Sequence, residues 1–366
     1  MNPVWDFLVT TVKHRPEPRY LPLAALYVVK LSFFEPWRLL EAARGQRGPY
    51  EPLPHPPLFV LGYYRSGTTH LQELLLEDPQ LAYMNFYQGF FPTAFTSSDR
   101  IVRPTFEKIV RAVRMKHPAH GVPFSFQLPA EDDVALVASG SRLAANWGQV
   151  FPRQFQEIYG RYALMEGIDP DESEELGRQL HGLLSRVSRA AGGRRLLLKS
   201  PPHTGRLGWL RARYPEAQFV FIHRDPFDVF ASNKGLWRSF EDQHLQRTTP
   251  EMVREAILWS YDRTHHNYVR DREGLRPDQL VEVSFDELQR DPVGLLCRVD
   301  EQLGLGRARV MRDAWRRYVD RNARPPLDHT LDDDERAAVR TRWARWFETF
   351  GYDASDQPLA SRGGGR

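Results

Sequence analysis

Two glycines, Gly62 and Gly67, stand between an apolar run and a helix-forming stretch in "PPLFVLGYYRSGTTHLQELLLEDP". A strand, a glycine loop and a helix N-terminus make an anion site. The loop and first-turn N–H groups point at the ligand, and the helix dipole adds partial positive charge. The spacing G-x-x-x-x-G is that of a P-loop, but Thr68 and Thr69 follow it where a P-loop has Lys and Ser or Thr. The cation comes earlier, in Arg65-Ser66-Gly67, and the two threonines can add hydroxyls to the same phosphate. Such a loop suits a single phosphate whose outer bridge is being broken, with no metal needed. A magnesium-binding aspartate would be expected directly after another apolar strand. "FVFIHRD" has His223 there and Asp225 only later, so metal-assisted phosphoryl transfer is poorly supported.

Two further loops carry candidate chemistry. "RRLLLKSPPHTGRL" ends its apolar run on Lys199, followed by Ser200 and His203. Among the 50 Lys and Arg residues only Lys13, Lys30, Lys108, Lys116, Lys199 and Lys234 are lysine, so a lysine here departs from the chain's habit. Its ammonium is a compact charge that can shift or donate its proton. In "AQFVFIHRDPFDVFASNKGLW", Arg224 opens the loop and Pro226 suits a first helical turn. Ser232 falls on the second turn, where a bidentate guanidinium and a hydroxyl can grip a second, separate phosphate. Asp228 reads as a helix N-terminal charge.

Four apolar runs must position these loops: Leu58–Leu61, Leu196–Leu198, Phe219–Ile222 and Leu280–Val283. Each precedes a polar or glycine-containing loop and a helical pattern, which predicts an α/β fold with a P-loop-like parallel sheet flanked by helices. Ligands of such sheets bind at the carboxyl ends of the strands. Residues 1–55 read as an N-terminal helical extension. Residues 56–352 read as one domain with a large helical insertion at about 80–192, and 353–366 as a disordered tail. "ESEELGRQLHGLLSRVSRAAGG" sets Leu176, Leu180, Leu183, Leu184 and Val187 on one helix face.

Composition narrows the partners. A net charge of +3 over 366 residues, with both signs interleaved, gives no field for nucleic acid. The single cysteine, Cys297, fits a reducing, cytoplasmic compartment and reads as a small core residue. The start shows no secretory signal. "YLPLAALYVVKLSFFEPW" is apolar but interrupted by Lys30 and Glu35 and too short to span a membrane. It reads as a core helix, or as a helix that rests on a membrane or caps an apolar acceptor site. The aromatics of "LAYMNFYQGFFPTAF" could likewise be core or the lining of an apolar acceptor pocket.

Taken in order, "GYYRSGTT", "KSPPH" and "RDPFDVFAS" resemble the sulfotransferases that use 3′-phosphoadenosine 5′-phosphosulfate (PAPS) and release PAP. The resemblance covers about residues 56–240 and continues weakly into "LVEVSFDELQRDP". It implies that Arg65, Ser66, Gly67, Thr68 and Thr69 hold the 5′-phosphosulfate, and that Arg224 and Ser232 hold the 3′-phosphate. It also implies that Lys199 assists transfer and that Phe285 or Trp237 lies near the adenine. The arginine in the first loop is similar to the tyrosylprotein and carbohydrate branches and their bacterial relatives. Cytosolic members carry a histidine two residues after the lysine, where this chain has Pro201. The base must then come from elsewhere. Glu131 of "FQLPAEDDVAL" is the first choice, because arginine-loop enzymes often use a glutamate. His203 comes next, then His117 and His120, and the acidic group could instead be only a helix N-terminus. The acceptor is a hydroxyl or amine of a small molecule, lipid or carbohydrate. A kinase or triphosphatase on the same sheet and a non-catalytic PAP-binding module are the alternatives.

Overall fold

The computed structural model describes residues 2–45, 51–115, 123–322 and 330–355. His117, His120 and the glycine-rich tail lie outside them. Five strands form one sheet: β1 Leu58–Leu61, β2 Leu81–Ala82, β3 Arg195–Lys199, β4 Gln218–His223 and β5 Leu280–Ser284. Their order is β2-β3-β1-β4-β5 and every pairing is parallel. β1 is central, with Leu58 paired to Leu197 on one side and to Gln218 on the other.

The four expected strands are present, three of them slightly longer than their apolar runs. β2 lies at the start of the interval expected to be a helical insertion, so that interval opens on a short strand. Two residues pairing with Arg195 and Leu196 are too few for any alternation to show in sequence.

Alternate side chains of β1 serve the two faces of the sheet, as a strand requires. Leu58 and Val60 pack with Leu71 and Leu74 of the helix after β1, and with Val281 and Leu296. Phe59 and Leu61 pack with Leu180, Leu184 and Val187 of the helix Pro170–Ala190, and with Tyr268. That helix stops at Gly192 and Gly193, both at positive φ (70° and 76°).

Helices α1 (Pro3–His14) and α2 (Leu21–Ala43) precede β1, and α3 (Thr68–Leu75) follows it. After β2 come α4 (Phe86–Phe90), α5 (Phe95–Ala112) and α6 (Asp132–Ala138). The aromatic run between β2 and α5 is largely core: Tyr87, Phe91 and Phe95 are buried, with Phe34 of α2 stacked on Phe91 at 4.0 Å. At the C-terminal end Trp343 stacks on Tyr261 at 3.8 Å, and Phe350 stacks on His223 at the tip of β4. His223 also bonds the Tyr352 hydroxyl at 2.9 Å. The strand tip where a magnesium aspartate would stand is therefore closed by aromatic packing.

Candidate active site

The loops after β1, β3 and β4 and the start of the helix after β5 meet at the carboxyl edge of the sheet. At Gly62, φ is 149°, and a Cβ would lie 2.6 Å from the Ile222 carbonyl and 2.7 Å from a Thr68 methyl. Its N–H donates to Thr204 at 2.8 Å, tying the first loop to the loop after β3. Gly67 (φ 99°) is the N-cap of α3, and a Cβ there would run into the Phe285 ring. Arg65 between them also has positive φ (68°), which tightens the turn and aims its side chain across the site. No side chain among the described residues caps α3, which leaves its first-turn N–H groups open to a ligand or solvent. Ser66 and Thr68 are buried in this turn.

Arg65 Nε donates to Ser232 Oγ at 2.8 Å. Arg224 lies alongside: it donates to Asp228 at 3.0 Å, and its guanidinium is 4.5 Å from the centre of the Phe285 ring. Asp228 is thus a partner of Arg224 as well as a first-turn charge. Arg224 Nε is buried and has no hydrogen-bond partner among the described residues. Burial, and then Arg224, push the Arg65 guanidinium below its usual range. Two cations thus converge where water is scarce, an arrangement that an anion would stabilise. Of the two aromatics proposed for adenine, Phe285 touches both Gly67 and Arg224, whereas Trp237 packs in the core against Phe155 at 5.2 Å.

The chain's consecutive acids take separate tasks. Glu131 is the N-cap of α6, but its carboxylate makes no capping bond. It accepts from Lys199 Nζ at 2.5 Å. Asp132 faces His203, Oδ2 to Nε2 at 2.7 Å, and Asp133 accepts from Ser200 at 2.9 Å and from Arg206 at 2.5 Å. Arg206 Nε also donates to His203 Nδ1 at 3.2 Å, which leaves His203 as the Nε2–H tautomer donating to Asp132. Burial opposes ionisation of Asp132, but His203 and then Arg206 outweigh it and hold the carboxyl below its usual range. His203 is wholly buried with both ring nitrogens engaged, so it presents no free nitrogen to an acceptor.

Asp132, Asp133 and His203 bring three possible metal ligands within 4.8 Å of one another. The donor set argues for an ion-pair network, because the Arg206 guanidinium already binds Asp133 and His203. A divalent ion would have to displace it.

Sequence reasoning missed Arg206, one arginine among many, and Tyr64. The Tyr64 hydroxyl donates to Asn146 at 3.2 Å, and its carbonyl accepts from Asn233 at 2.9 Å, which pins the glycine loop from two sides. The doubled tyrosine in "GYYRSG" was the available signal.

A sequence profile of the Sulfotransferase family matches residues 56–308. An omega-hydroxy-beta-dihydromenaquinone-9 sulfotransferase of Mycobacterium bovis is 28% identical over 302 residues, 81% of this chain and 76% of that protein. Its namesake from Mycobacterium tuberculosis gives the same figures. A sulfotransferase structure from Mycobacterium avium is similar with a TM-score of 0.70 at 20% identity, covering 95% of this chain and 96% of that one. Another from Mycobacterium tuberculosis reaches 0.59 at 16% identity, covering 87% and 79%. At these identities the structural likeness speaks for the fold alone.

Two predictions follow from the packing. Gly67→Ala strains a left-handed backbone and displaces Phe285, lowering stability by about 1–3 kcal/mol in urea unfolding. Arg206→Ala leaves buried carboxylates without their cation and costs about 3–5 kcal/mol at neutral pH. Because the folded-state pKa of Asp132 is depressed, its stabilisation is present above the ordinary aspartate range and fades as pH falls through the depressed value. The gap between wild type and Arg206→Ala should therefore narrow in acid. A gap that is absent at neutral pH, or that widens in acid, would remove Arg206 from this role.

Proposed function

The chain belongs to the sulfotransferase family and so transfers sulfuryl groups. On that premise we propose PAPS as its donor and a hydroxyl of an apolar, lipid-like molecule as its acceptor. The donor reading rests on Arg65 and Arg224 lying together beside Ser232, with Arg224 Nε buried and without a hydrogen-bond partner among the described residues. A phosphate there would neutralise two crowded guanidiniums and satisfy that nitrogen. The glycine loop offers a second phosphate position at the start of α3. Two such positions suit a nucleotide bearing both a 3′-phosphate and a 5′-phosphosulfate, and Phe285 offers a ring face beside them.

In this reading Glu131 takes the proton of the acceptor hydroxyl while the acceptor oxygen bonds to sulfur. The bond from sulfur to the 5′-phosphate oxygen breaks, and its electron pair stays on that oxygen. Lys199, Arg65 and the N–H groups of the α3 N-terminus hold the charge that grows there. The 2.5 Å contact between Lys199 and Glu131 keeps the base next to the group that assists departure. In this reading His203, held between Asp132 and Arg206, positions α6 and leaves the part of base to Glu131.

The acceptor class is supported by the menaquinone-type substrate in the name of the 28%-identical relatives. It is supported also by the aromatic cluster behind the base. Ala130, next to Glu131, donates its N–H to Met84 at 2.8 Å, and Gly89 of α4 lies against the Ala130 methyl. Partly buried Phe86 and Phe90 pack against the same cluster, which includes Ala130.

The test is sulfate transfer from labelled PAPS to a panel of isoprenoid, sterol and phenolic alcohols, with ATP as control donor. Transfer from PAPS that survives EDTA is expected, and strict dependence on ATP and Mg²⁺ would overturn the donor assignment. Lys199→Ala should lower turnover by about 10²-fold or more. Glu131→Gln should lower it by about 10²–10⁴-fold. PAP affinity should change far less in both variants. An unchanged turnover number would remove the substituted residue from the mechanism.

A further inference from the structure

Helix α2 is turned inside out relative to a surface helix of a water-soluble protein. Its four charged residues all face the protein. The Lys30 ammonium lies 5.8 Å and 5.7 Å from the ring centres of Phe90 and Phe91. Glu35 and Arg38 pair with each other at 2.6 Å and are largely covered. Glu41 is fully buried, accepting from the Ser97 N–H at 2.9 Å and facing Arg186 at 3.6 Å. The outward stripe is apolar, with Leu26 61%, Val29 63%, Phe33 57% and Leu39 54% exposed. Leu26, Val29 and Phe33 follow the i, i+3, i+7 spacing of one helix face over two turns, about 10 Å, and Leu39 extends the exposed apolar surface beyond Pro36.

Neighbouring helices extend this face. On α1, Trp5 is 66% exposed, and with Leu8 it lines a groove shared with Ser32 and Glu35 of α2. Beside α2, α5 packs through Phe106 against Phe34 and exposes Ile101 and Ile109. Over described residues 2–45 and 95–115 the most exposed charged side chains are basic, and the partly exposed acids Glu17, Glu35 and Asp99 are each paired with an arginine. Lys13, Arg19, Arg44, Arg100, Lys108 and Arg111 are among the basic ones.

We infer that the α1–α2–α5 face docks on an anionic phospholipid bilayer, with the α2 stripe inserted at the interface and the basic side chains on the headgroups. A tryptophan and a row of aliphatic and phenyl groups beside arginines and lysines is the composition of an interfacial helix. A protein partner would leave about one hydrogen bond per 100–200 Å² to be made, and the α2 stripe offers a single hydroxyl, Ser32. No helix among the described residues is long and apolar enough to cross a membrane, so the contact is one of lying on it. The inner side of α2 rests on Phe90 and Phe91, in the same cluster that includes Ala130, the residue before Glu131. The docked face is therefore joined to the proposed acceptor region by one layer of aromatic packing. The inference itself does not depend on the acceptor's identity.

Sedimentation of the full chain with vesicles of phosphatidylcholine, with and without phosphatidylglycerol, tests it without any activity readout. Wild type should partition at least about tenfold more strongly onto the anionic vesicles, with binding that weakens as salt is raised. The exposed-site variant Leu26→Asp/Phe33→Asp should lose at least about tenfold in binding at an unchanged thermal midpoint. Lys108→Glu/Arg111→Glu should lose the preference for anionic lipid. Wild type that stays in the supernatant with both vesicles, or an aspartate variant that binds as well as wild type, would overturn the inference. A lipid-free dimer that Leu26→Asp/Phe33→Asp converts to monomer would also overturn it, by assigning the face to a second copy.

Discussion

The absence of room for a side chain at Gly62 and Gly67 governs the geometry of the site. The first glycine lets the chain leave β1 hard against the Ile222 carbonyl at the end of β4. The second lets α3 begin against the Phe285 ring, just past β5. Between these two close approaches Arg65 is forced into a left-handed conformation that carries its guanidinium to Ser232 on the helix after β4. Phe285, wedged between Gly67 and Arg224, then sets the height of the second arginine. Two cations and a helix N-terminus thus share one edge of the sheet because two positions have no Cβ.

The opposite wall is set by charge. Asp132 and Asp133 are buried, and such carboxylates are tolerated only when paired. Ser200, His203 and Arg206 of the segment after β3 supply the partners. This anchorage fixes the first turn of α6, and so fixes Glu131 one residue earlier beside Lys199. The network is costly to desolvate, and its return is position: a carboxylate from a helical excursion is delivered to the end of β3. The aromatic cluster of α4 and α5 closes over the back of that segment and carries α2 on its far side.

Much of this was legible in the sequence, for identifiable reasons. Buried parallel strands are fully apolar and bounded by glycine or polar loops, so four of five stood out. β2 did not, because two residues carry no periodicity. The glycine loop, Lys199 and the Arg224–Ser232 spacing were visible because each is defined over a few residues. The approach of Glu131 to Lys199 spans most of the insertion and depends on α6 docking. Arg206 was invisible for a similar reason, since nothing distinguishes it among so many arginines until the fold brings it to Asp133. The choice between Phe285 and Trp237 also needed the fold, which buries one and sets the other on Arg224. The outward apolar stripe of α2 could not be read either. A helix apolar on nearly every side does not announce which face is covered, and only the inward turn of Lys30, Glu35, Arg38 and Glu41 reveals it.

The central claim is that Arg224 and Ser232 build a site for a 3′-phosphate that is separate from the glycine loop. Calorimetric titration with PAP and with AMP, which differ in that phosphate, tests it most directly. A charge-assisted bidentate contact contributes about 1.5–3 kcal/mol, so wild type should bind PAP about 10- to 150-fold more tightly than AMP. Arg224→Ala should abolish most of that difference while leaving AMP nearly unchanged. Equal affinity of wild type for PAP and AMP would contradict the account.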